Sequence, residues 1–538
     1  MAPSRTDRTH LGKSARRIAA AAGVSAAFTL WAAMSAGGAT LVTPPSGPAT
    51  GGTTVSFAVS TLGFTQVAQG QNTGYGLNGD GHVYSWGVNT AAELGNGTTT
   101  RSLTPVLVLP GAMPTGTTIT SIAAGASSGY ALASDGKVYS WGANNDGQLG
   151  DGSTTTRSTP VAVDLSTLGA GVTLTQLAAG SLDAYALGSD GNIYSWGYNH
   201  DGELGNGNNT DQHTPVMVDA TALPAGVHFT HVASSQNTVL AIGSDGKGYS
   251  WGSDVVGALG TGGTGDRNVP TAVLAGAIPT GVKLVQVAVG QEGGYGLGDD
   301  GHAYTWGSNM FGDLGNGNNT DSNVPVQVVA GQVPAGVKLI AIGAGSSSGY
   351  AIGDDGHAYA WGNGGNGQVG NGSTTSTTSP VLVSAGAIPA DVTITSVSGG
   401  YHSAIVLGND GKVYGWGDNG GDLADGSTTR RVTPVLGANS TVTSILFDGV
   451  AGTDLVDPPG VWTVVTPAHA AGTVSITIAG SVLGGTTGGV TTSRTLTGAF
   501  VYVAVLAATG GTIPWGMLLA GAVAILLGTL MLWRESRS

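Results

Sequence analysis

A signature of the form Tyr-x-Trp-Gly recurs seven times along this chain, at a constant spacing of 55 residues. A period of this length indicates one supersecondary unit that is repeated, and each unit is too small to bury its own apolar side chains. The repeats must therefore stack against one another, which constrains the fold more than any other feature of the sequence. The seven tryptophans are Trp86, Trp141, Trp196, Trp251, Trp306, Trp361 and Trp416.

An Asp-Gly pair stands six residues before each tryptophan, from Asp80 in the first copy to Asp410 in the last. Asp-Gly between alternating apolar runs predicts a β-hairpin, because both central residues of the favoured turn need a positive φ. The segments around these turns have the period of short strands, and no helical period of apolar residues occurs inside the repeats. The repeated unit is therefore predicted to be all-β.

Four short strands in each of seven repeats predict a seven-bladed β-propeller over residues 61–440. Such a ring closes on itself and leaves only short, protected strand edges. An open β-solenoid is the alternative, although the coils of solenoids repeat in much shorter steps. The chain contains no cysteine, so stability must come from the repeated core and from ring closure.

The stretch Gly-Lys-Val-Tyr-Ser-Trp-Gly-Ala-Asn-Asn-Asp-Gly-Gln-Leu-Gly-Asp-Gly at residues 136–152 resembles the repeat of the regulator of chromosome condensation family, whose fold is a seven-bladed propeller. The family commonly has His-Ser after the first strand, and only His402-Ser403 keeps it here. The eukaryotic namesake exchanges nucleotide on a nuclear GTPase and sits on chromatin. The formal net charge of −14 argues against that role, because binding nucleic acid needs a basic face.

The first 39 residues have the three-part pattern of a secretory signal peptide. Residues 1–17 are basic, and residues 18–36 are an apolar run that ends in small residues. The alternative is a membrane anchor that is not cleaved. With either outcome, the propeller is expected outside the cell.

The C-terminal segment 506–538 resembles a sortase sorting signal of Gram-positive bacteria. Its three parts are a Leu-Ala-x-Thr-Gly pentapeptide, an apolar stretch at 513–533 that is long enough to be a transmembrane helix, and a tail with two arginines. The resemblance implies that sortase cleaves after Thr509 and joins the chain to peptidoglycan, a cell-wall anchor. A plain transmembrane helix is the alternative. The pentapeptide consists of Leu506, Ala507, Ala508, Thr509 and Gly510.

Two segments that flank the propeller resemble the halves of one IPT/TIG domain, a small immunoglobulin-like β-sandwich. They are residues 40–60 and residues 441–505. The propeller is then an insertion in this domain, which is feasible because a closed ring brings its two ends together. Residues 441–446 fit either the last blade or the sandwich.

The sequence predicts no catalytic residue, no metal site and no cofactor. Its ten histidines form no metal-binding spacing. The carboxylates outside the Asp-Gly turns, such as Asp183, Glu203, Glu292 and Asp313, are scattered over different copies. Asn-rich loops such as 206–211 and 316–321 are expected to be solvated turns, with calcium binding through their oxygen ligands as the alternative. We therefore predict that the protein is not an enzyme.

The loop after each Trp-Gly is where the copies differ, and three consecutive copies carry large apolar or aromatic residues there. Exposed aromatic and apolar side chains among polar loops are typical of recognition sites. We expect a secreted cell-surface binding or adhesion protein with a protein or glycan partner. The alternatives are an extracellular hydrolase or lyase with its site in the propeller channel, and a structural surface protein. The candidate ligand-binding residues are Tyr198, His200, Val255, Val256, Met310 and Phe311.

Overall fold

The computed structural model describes residues 42–43, 46–48, 50, 52–57, 63–437, 440–456, 462–469, 472–482 and 491–503. These residues divide into two units, one made mainly of residues 59–443 and the other of segments on both sides of that range. The predicted signal peptide and the sorting signal lie outside the described residues. Within the described part of the chain, no helix is long and apolar enough to cross a membrane.

The described residues up to the end of the propeller form thirty-one strands, of which three precede the propeller and twenty-eight make its seven blades. Strands β1 (Val42–Thr43), β2 (Ser46–Pro48) and β3 (Thr54–Phe57) come before the propeller. The blades follow in order: blade 1, β4 (Phe64–Gln69), β5 (Thr73–Asn78), β6 (Val83–Gly87), β7 (Ser102–Leu107); blade 2, β8 (Ile119–Ala124), β9 (Ser128–Ala133), β10 (Val138–Gly142), β11 (Arg157–Ala162); blade 3, β12 (Leu174–Ala179), β13 (Asp183–Gly188), β14 (Ile193–Gly197), β15 (Gln212–Met217); blade 4, β16 (Phe229–Ser235), β17 (Thr238–Gly243), β18 (Gly248–Gly252), β19 (Arg267–Ala272); blade 5, β20 (Leu284–Val289), β21 (Gly293–Gly298), β22 (Ala303–Gly307), β23 (Ser322–Gln327); blade 6, β24 (Leu339–Ala344), β25 (Ser348–Gly353), β26 (Ala358–Gly362), β27 (Thr377–Leu382); blade 7, β28 (Ile394–Gly399), β29 (Ser403–Gly408), β30 (Val413–Gly417), β31 (Arg431–Leu436).

Each blade is a four-stranded antiparallel meander, which confirms the prediction of an all-β, seven-bladed propeller. The first strand of each blade packs beside the first strands of its neighbours, so these strands surround the channel. Because strands alternate in direction, the turn after the first strand and the loop after the third strand emerge on one face, here called the loop face. The Asp-Gly turns emerge on the opposite face, the turn face.

The seven signature tryptophans join the blades to one another. Every one of them is completely buried, and its indole N–H donates to a backbone carbonyl of the preceding blade at 2.7–2.9 Å. Trp86 of blade 1 donates to the carbonyl of Asp422 in blade 7 at 2.8 Å, so the same bond closes the ring. The first-to-last junction also has its own apolar cluster, which includes Phe64 and Ile405.

The Asp-Gly turns form as predicted in position, but their geometry differs from the expected turn type. Only the glycine has a positive φ, for example +79° at Gly136, so the prediction that both central residues need one was wrong. In blades 2 to 7 the aspartate instead accepts the backbone N–H two residues later, as Asp190 does from Asn192. Its second oxygen accepts the hydroxyl of Tyr194. These bonds give the repeated aspartates a structural role.

The smaller unit consists of strands that come before and after the propeller in the chain. One sheet has the order β1–β3–β35–β34 and the other the order β2–β37–β36–β32–β33, so residues before the propeller pair with residues after it. The structure places residues 440–447 in the second of these sheets and not in blade 7. Its later strands are β32 (Ser440–Phe447), β33 (Val450–Ala451), β34 (Thr453–Val456), β35 (Trp462–Val465), β36 (Gly472–Val482) and β37 (Thr491–Val503).

We predict that Trp86→Phe lowers the free energy of unfolding by about 1–3 kcal/mol. The change keeps an aromatic ring but leaves the carbonyl of Asp422 buried without its donor. Thermal unfolding of the variant beside the parent measures the effect. An unchanged midpoint would contradict the closing role of this bond.

Candidate functional site

A buried asparagine organises the loop after the third strand in five of the seven blades. In blade 3 the Nδ2 atom of Asn199 donates to the backbone carbonyls of Asn208 and Thr210, both at 3.0 Å. The Oδ1 atom of Asn199 accepts the backbone N–H of Leu204 at 2.8 Å. One side chain therefore ties the two ends of a long loop together. The equivalent residues are Asn89, Asn144, Asn309 and Asn419.

The side-chain amide of this asparagine donates hydrogen bonds to the loop oxygen atoms that suggested a calcium site. In blade 5, the side-chain oxygen of Asn316 and the carbonyls of Asn318 and Thr320 all point at the Nδ2 atom of Asn309, at 3.0–3.1 Å. The described residues include no group of three or more acidic, histidine or cysteine side chains that fits a metal ion. The loops therefore have the hydrogen bonds of self-supported turns.

Blade 4 departs from this pattern. Asp254 replaces the asparagine, and its Oδ2 atom is buried without a hydrogen-bond partner. The following turn contains Val256 at a φ of +49°. A β-branched residue in the left-handed region is strained, at a cost of about 1–3 kcal/mol, and such strain is concentrated at functional sites. Blade 4 therefore exposes Val255 and Val256 in a turn whose backbone is strained, which lowers the local stability.

All six candidate ligand-binding residues lie in these loops on the loop face. Tyr198 is half-buried and His200 is exposed. Their rings are in contact, with centroids 4.4 Å apart. The other four side chains are apolar and partly open to solvent: Val255 is 54% exposed, Val256 36%, Met310 69% and Phe311 38%.

The three loops are held next to one another by contacts between neighbouring blades. Asn237 of blade 4 donates to the carboxylate of Asp201 in the blade 3 loop at 2.9 Å, and Asn268 of blade 4 donates to Asn209 in the same loop. Asn323 of blade 5 donates to a carbonyl of the blade 4 loop. The structure therefore places the candidate residues on three adjacent loops of one sector.

The central channel opens on the same face, but its lining offers little chemistry. Its cavity has a volume of about 320 Å³ and is lined mostly by glycine, alanine, serine and valine at the ends of the first strands. The larger polar residues in the lining are Gln69, Gln71, Gln236 and Tyr401. No carboxylate or histidine belongs to this lining among the described residues. Of the side chains that acid-base catalysis commonly uses, the described lining contains only Tyr401.

The carboxylates that the sequence scatters over several loops interact in pairs in the structure. Asp183 and Glu203 are both fully buried, and each has one oxygen without a partner. Burial raises the pKa of both, that of Glu203 to about 7, and the charge of Glu203 raises the pKa of Asp183 further. Gly180, which lines the channel, lies against the Asp183 carboxylate, so a side chain at position 180 would clash with it.

The equivalent positions of blade 7 show why two acids are an unusual pair here. In blade 7 the equivalent residues are Ser403 and Asp422, and the serine hydroxyl donates to the carboxylate. Gln69 of blade 1 donates to that carboxylate as well, at 2.9 Å. Blade 3 has an acid at both positions, so neither side chain of the pair can supply the hydroxyl donor that Ser403 supplies in blade 7. Its two side chains are held together by the surrounding frame and not by mutual attraction.

Comparison with known proteins gives one family. The model of the RCC1-like domain matches residues 48–392 and 164–452. The ultraviolet-B receptor UVR8 of Arabidopsis thaliana is 33% identical over 316 residues, which are 58% of this chain and 68% of the receptor. The regulator of chromosome condensation of Mus musculus is 27% identical over 347 residues, which are 62% of this chain and 79% of that protein.

The chain matches only a small part of another relative. The E3 ubiquitin-protein ligase HERC2 of Homo sapiens is 32% identical over 341 residues, which are 7% of its length.

Among solved structures, yeast RCC1 (Prp20) bound to Kap60 has a TM-score of 0.57 at 20% identity, covering 75% of this chain and 91% of that one. Human WBSCR16 has a TM-score of 0.56 at 23% identity, covering 64% and 87%. These two structures support the fold alone.

We predict that Asn199→Ala lowers the free energy of unfolding by about 2–4 kcal/mol, because a buried amide with several hydrogen bonds is lost. Asn209→Ala is the control, since Asn209 lies in the same loop and its hydrogen bonds with His200 and Asn268 are exposed to solvent, and its effect should stay below about 1 kcal/mol. Urea unfolding measures both. Equal effects would mean that Asn199 does not organise the loop.

We predict that Asp183→Ser makes the protein more stable than the parent at pH 8, by about 1–3 kcal/mol, and about equally stable near pH 4. An acid whose pKa is raised by folding favours the folded state only while it is protonated. The parent should therefore lose stability as pH rises from near 4 through the raised folded pKa, about 7 for Glu203. Urea unfolding at both pH values is the measurement. A variant less stable at pH 8 would contradict this interpretation.

Proposed function

Since the chain belongs to the RCC1-like domain family, we propose that it is a protein-binding propeller whose loop face in blades 3 to 5 carries the binding site. The single observation that carries the proposal is the exposure of apolar side chains on three adjacent loops whose backbones are fixed. A preorganised surface loses little conformational entropy on binding, and apolar anchors supply most of the affinity. Two of the relatives are named as a receptor and a regulator, which is consistent with this role.

A catalytic role receives less support. The carboxylates most suited to acid-base work, Asp183 and Glu203, are fully buried, and a catalytic group has to reach its substrate. The ligase activity in the name of HERC2 belongs to a protein of which this chain matches 7%. A glycan partner and a purely structural coat remain outcomes of the test below.

We further propose that the protein is exported and joined to peptidoglycan by sortase. The support is the sequence alone, from the signal-peptide pattern in residues 1–39 and the pentapeptide at 506–510. The smaller unit is proposed to be an IPT/TIG-like sandwich. Strand pairing across the propeller insertion supports a split unit, since β3 pairs with β35.

We predict that the triple variant Tyr198→Ala, Met310→Ala, Phe311→Ala loses a partner that the parent captures from cell-envelope and culture-supernatant fractions. The expected loss is at least about tenfold in affinity, as for the removal of several interface anchors. Affinity capture followed by mass spectrometry identifies the partner, and titration with the purified partner measures the loss.

The matched control removes apolar side chains from the outer strands instead. Leu107, Met217 and Leu382 are 43%, 57% and 41% exposed and lie in the fourth strands of blades 1, 3 and 6. Their replacement by alanine should leave capture unchanged. Equal capture by the parent and by the loop variant would place the site elsewhere, and capture of a glycan instead of a protein would overturn the protein-binding proposal.

A further inference from the structure

The loop face of blades 2 to 5 has an extreme charge pattern. The four loops at 143–156, 198–211, 253–266 and 308–321 contain nine aspartates and glutamates and no lysine or arginine. The corresponding loops of blades 1, 6 and 7 contain four acids and two arginines. The charge asymmetry therefore coincides with the sector that exposes the apolar residues.

The few cations near this sector are already engaged. Arg157, which begins the last strand of blade 2, forms an ion pair with Asp151 at 2.8 Å. Arg267, which begins the last strand of blade 4, donates to the carbonyls of Gly265 and Asp266. Neither arginine is paired with the carboxylates around Tyr198.

Tyr198 is the point at which these carboxylates converge. Asp146 of blade 2 and Asp201 and Asp211 of blade 3 act electrostatically on its hydroxyl, together with the buried Glu203. Burial is the main reason that the pKa of Tyr198 is raised, and these four charges raise it further. An aromatic ring surrounded by negative charge is a favourable environment for a lysine or arginine side chain.

His200 completes one side of this position. Its ring contacts Tyr198, and its Nε2 atom lies 3.7 Å from the Asp211 carboxylate. Glu203 is fully buried below and has one oxygen without a hydrogen-bond partner. A cation placed here would therefore face the carboxylates of Asp146, Asp201 and Asp211, and the loops at 143–156 and 198–211 contain no lysine or arginine to oppose it.

We infer that the partner of this face presents a lysine or arginine side chain to Tyr198, next to apolar side chains that cover the valine pair of blade 4 and the Met310–Phe311 pair of blade 5. The inference rests on the proposed function and specifies the chemistry of its partner. Complementary charge selects the partner and speeds its approach, while the apolar pairs supply contact area. A polypeptide segment with basic and apolar residues side by side meets both requirements.

The test is a selection of random dodecapeptides, displayed on phage, against the full chain. Peptides that contain both basic and apolar residues are expected to be enriched. Their affinity should fall about tenfold or more for the triple variant Asp146→Asn, Asp201→Asn, Asp211→Asn, and it should fall with rising salt. Asparagine keeps an acceptor oxygen at each position, so the loop hydrogen bonds of Asp201 and Asp211 are retained.

The control makes the same charge change on the turn face, with Asp299→Asn, Asp354→Asn, Asp391→Asn. These three residues are exposed, and their loss should change the affinity less than about twofold. Equal losses for the two triple variants would show general attraction to an acidic protein and overturn the inference.

The remaining outcomes separate the inference from the proposed function. Enrichment of neutral or acidic apolar peptides whose binding needs Met310 and Phe311 would leave the proposed function standing and overturn the cationic partner. Selected peptides that bind independently of both the carboxylates and the apolar pairs would contradict both. Failure to enrich any peptide would overturn the inference and leave the proposed function to the capture experiment.

Discussion

The rest of the structure depends on the hydrogen bond from each buried tryptophan to a carbonyl of the preceding blade. The bond fixes where one blade sits against the next, and the same indole ring fills the space between them. Since the interaction recurs at every junction, including the one between Trp86 and Asp422, the ring has no weak seam of a different chemical kind. A frame fixed in this way leaves the long loops free to differ without loss of the fold.

The propeller frame could be predicted from the sequence because each repeat of the sequence forms one blade. A spacing of 55 residues, the Asp-Gly pairs and the tryptophans predict the number of blades and the position of every hairpin. The type of the turn was less accessible. Asp190 bonds the backbone two residues later, so one positive φ is sufficient, whereas the pattern alone suggested two.

The candidate site was only partly accessible from the sequence. Comparing the loops reveals where apolar residues replace polar ones, and it predicts that the loops share a face. It does not reveal why the loops hold their shape. The repeated asparagine after Trp-Gly was the available signal, and its role depends on carbonyls 9 and 11 residues later. The interaction of Asp183 with Glu203 depends on strand packing, because 20 residues separate them in the chain.

Exchange of the indole N–H protons with solvent tests whether seven equivalent tryptophan bonds hold a closed frame. The full chain labelled with ¹⁵N-tryptophan gives a separate signal for each indole by nuclear magnetic resonance. We expect the seven propeller indoles to exchange slowly and at similar rates, with Trp86 among them. Fast exchange at Trp86 while the other six stay protected would contradict it, because the ring would then open at the junction of blades 1 and 7.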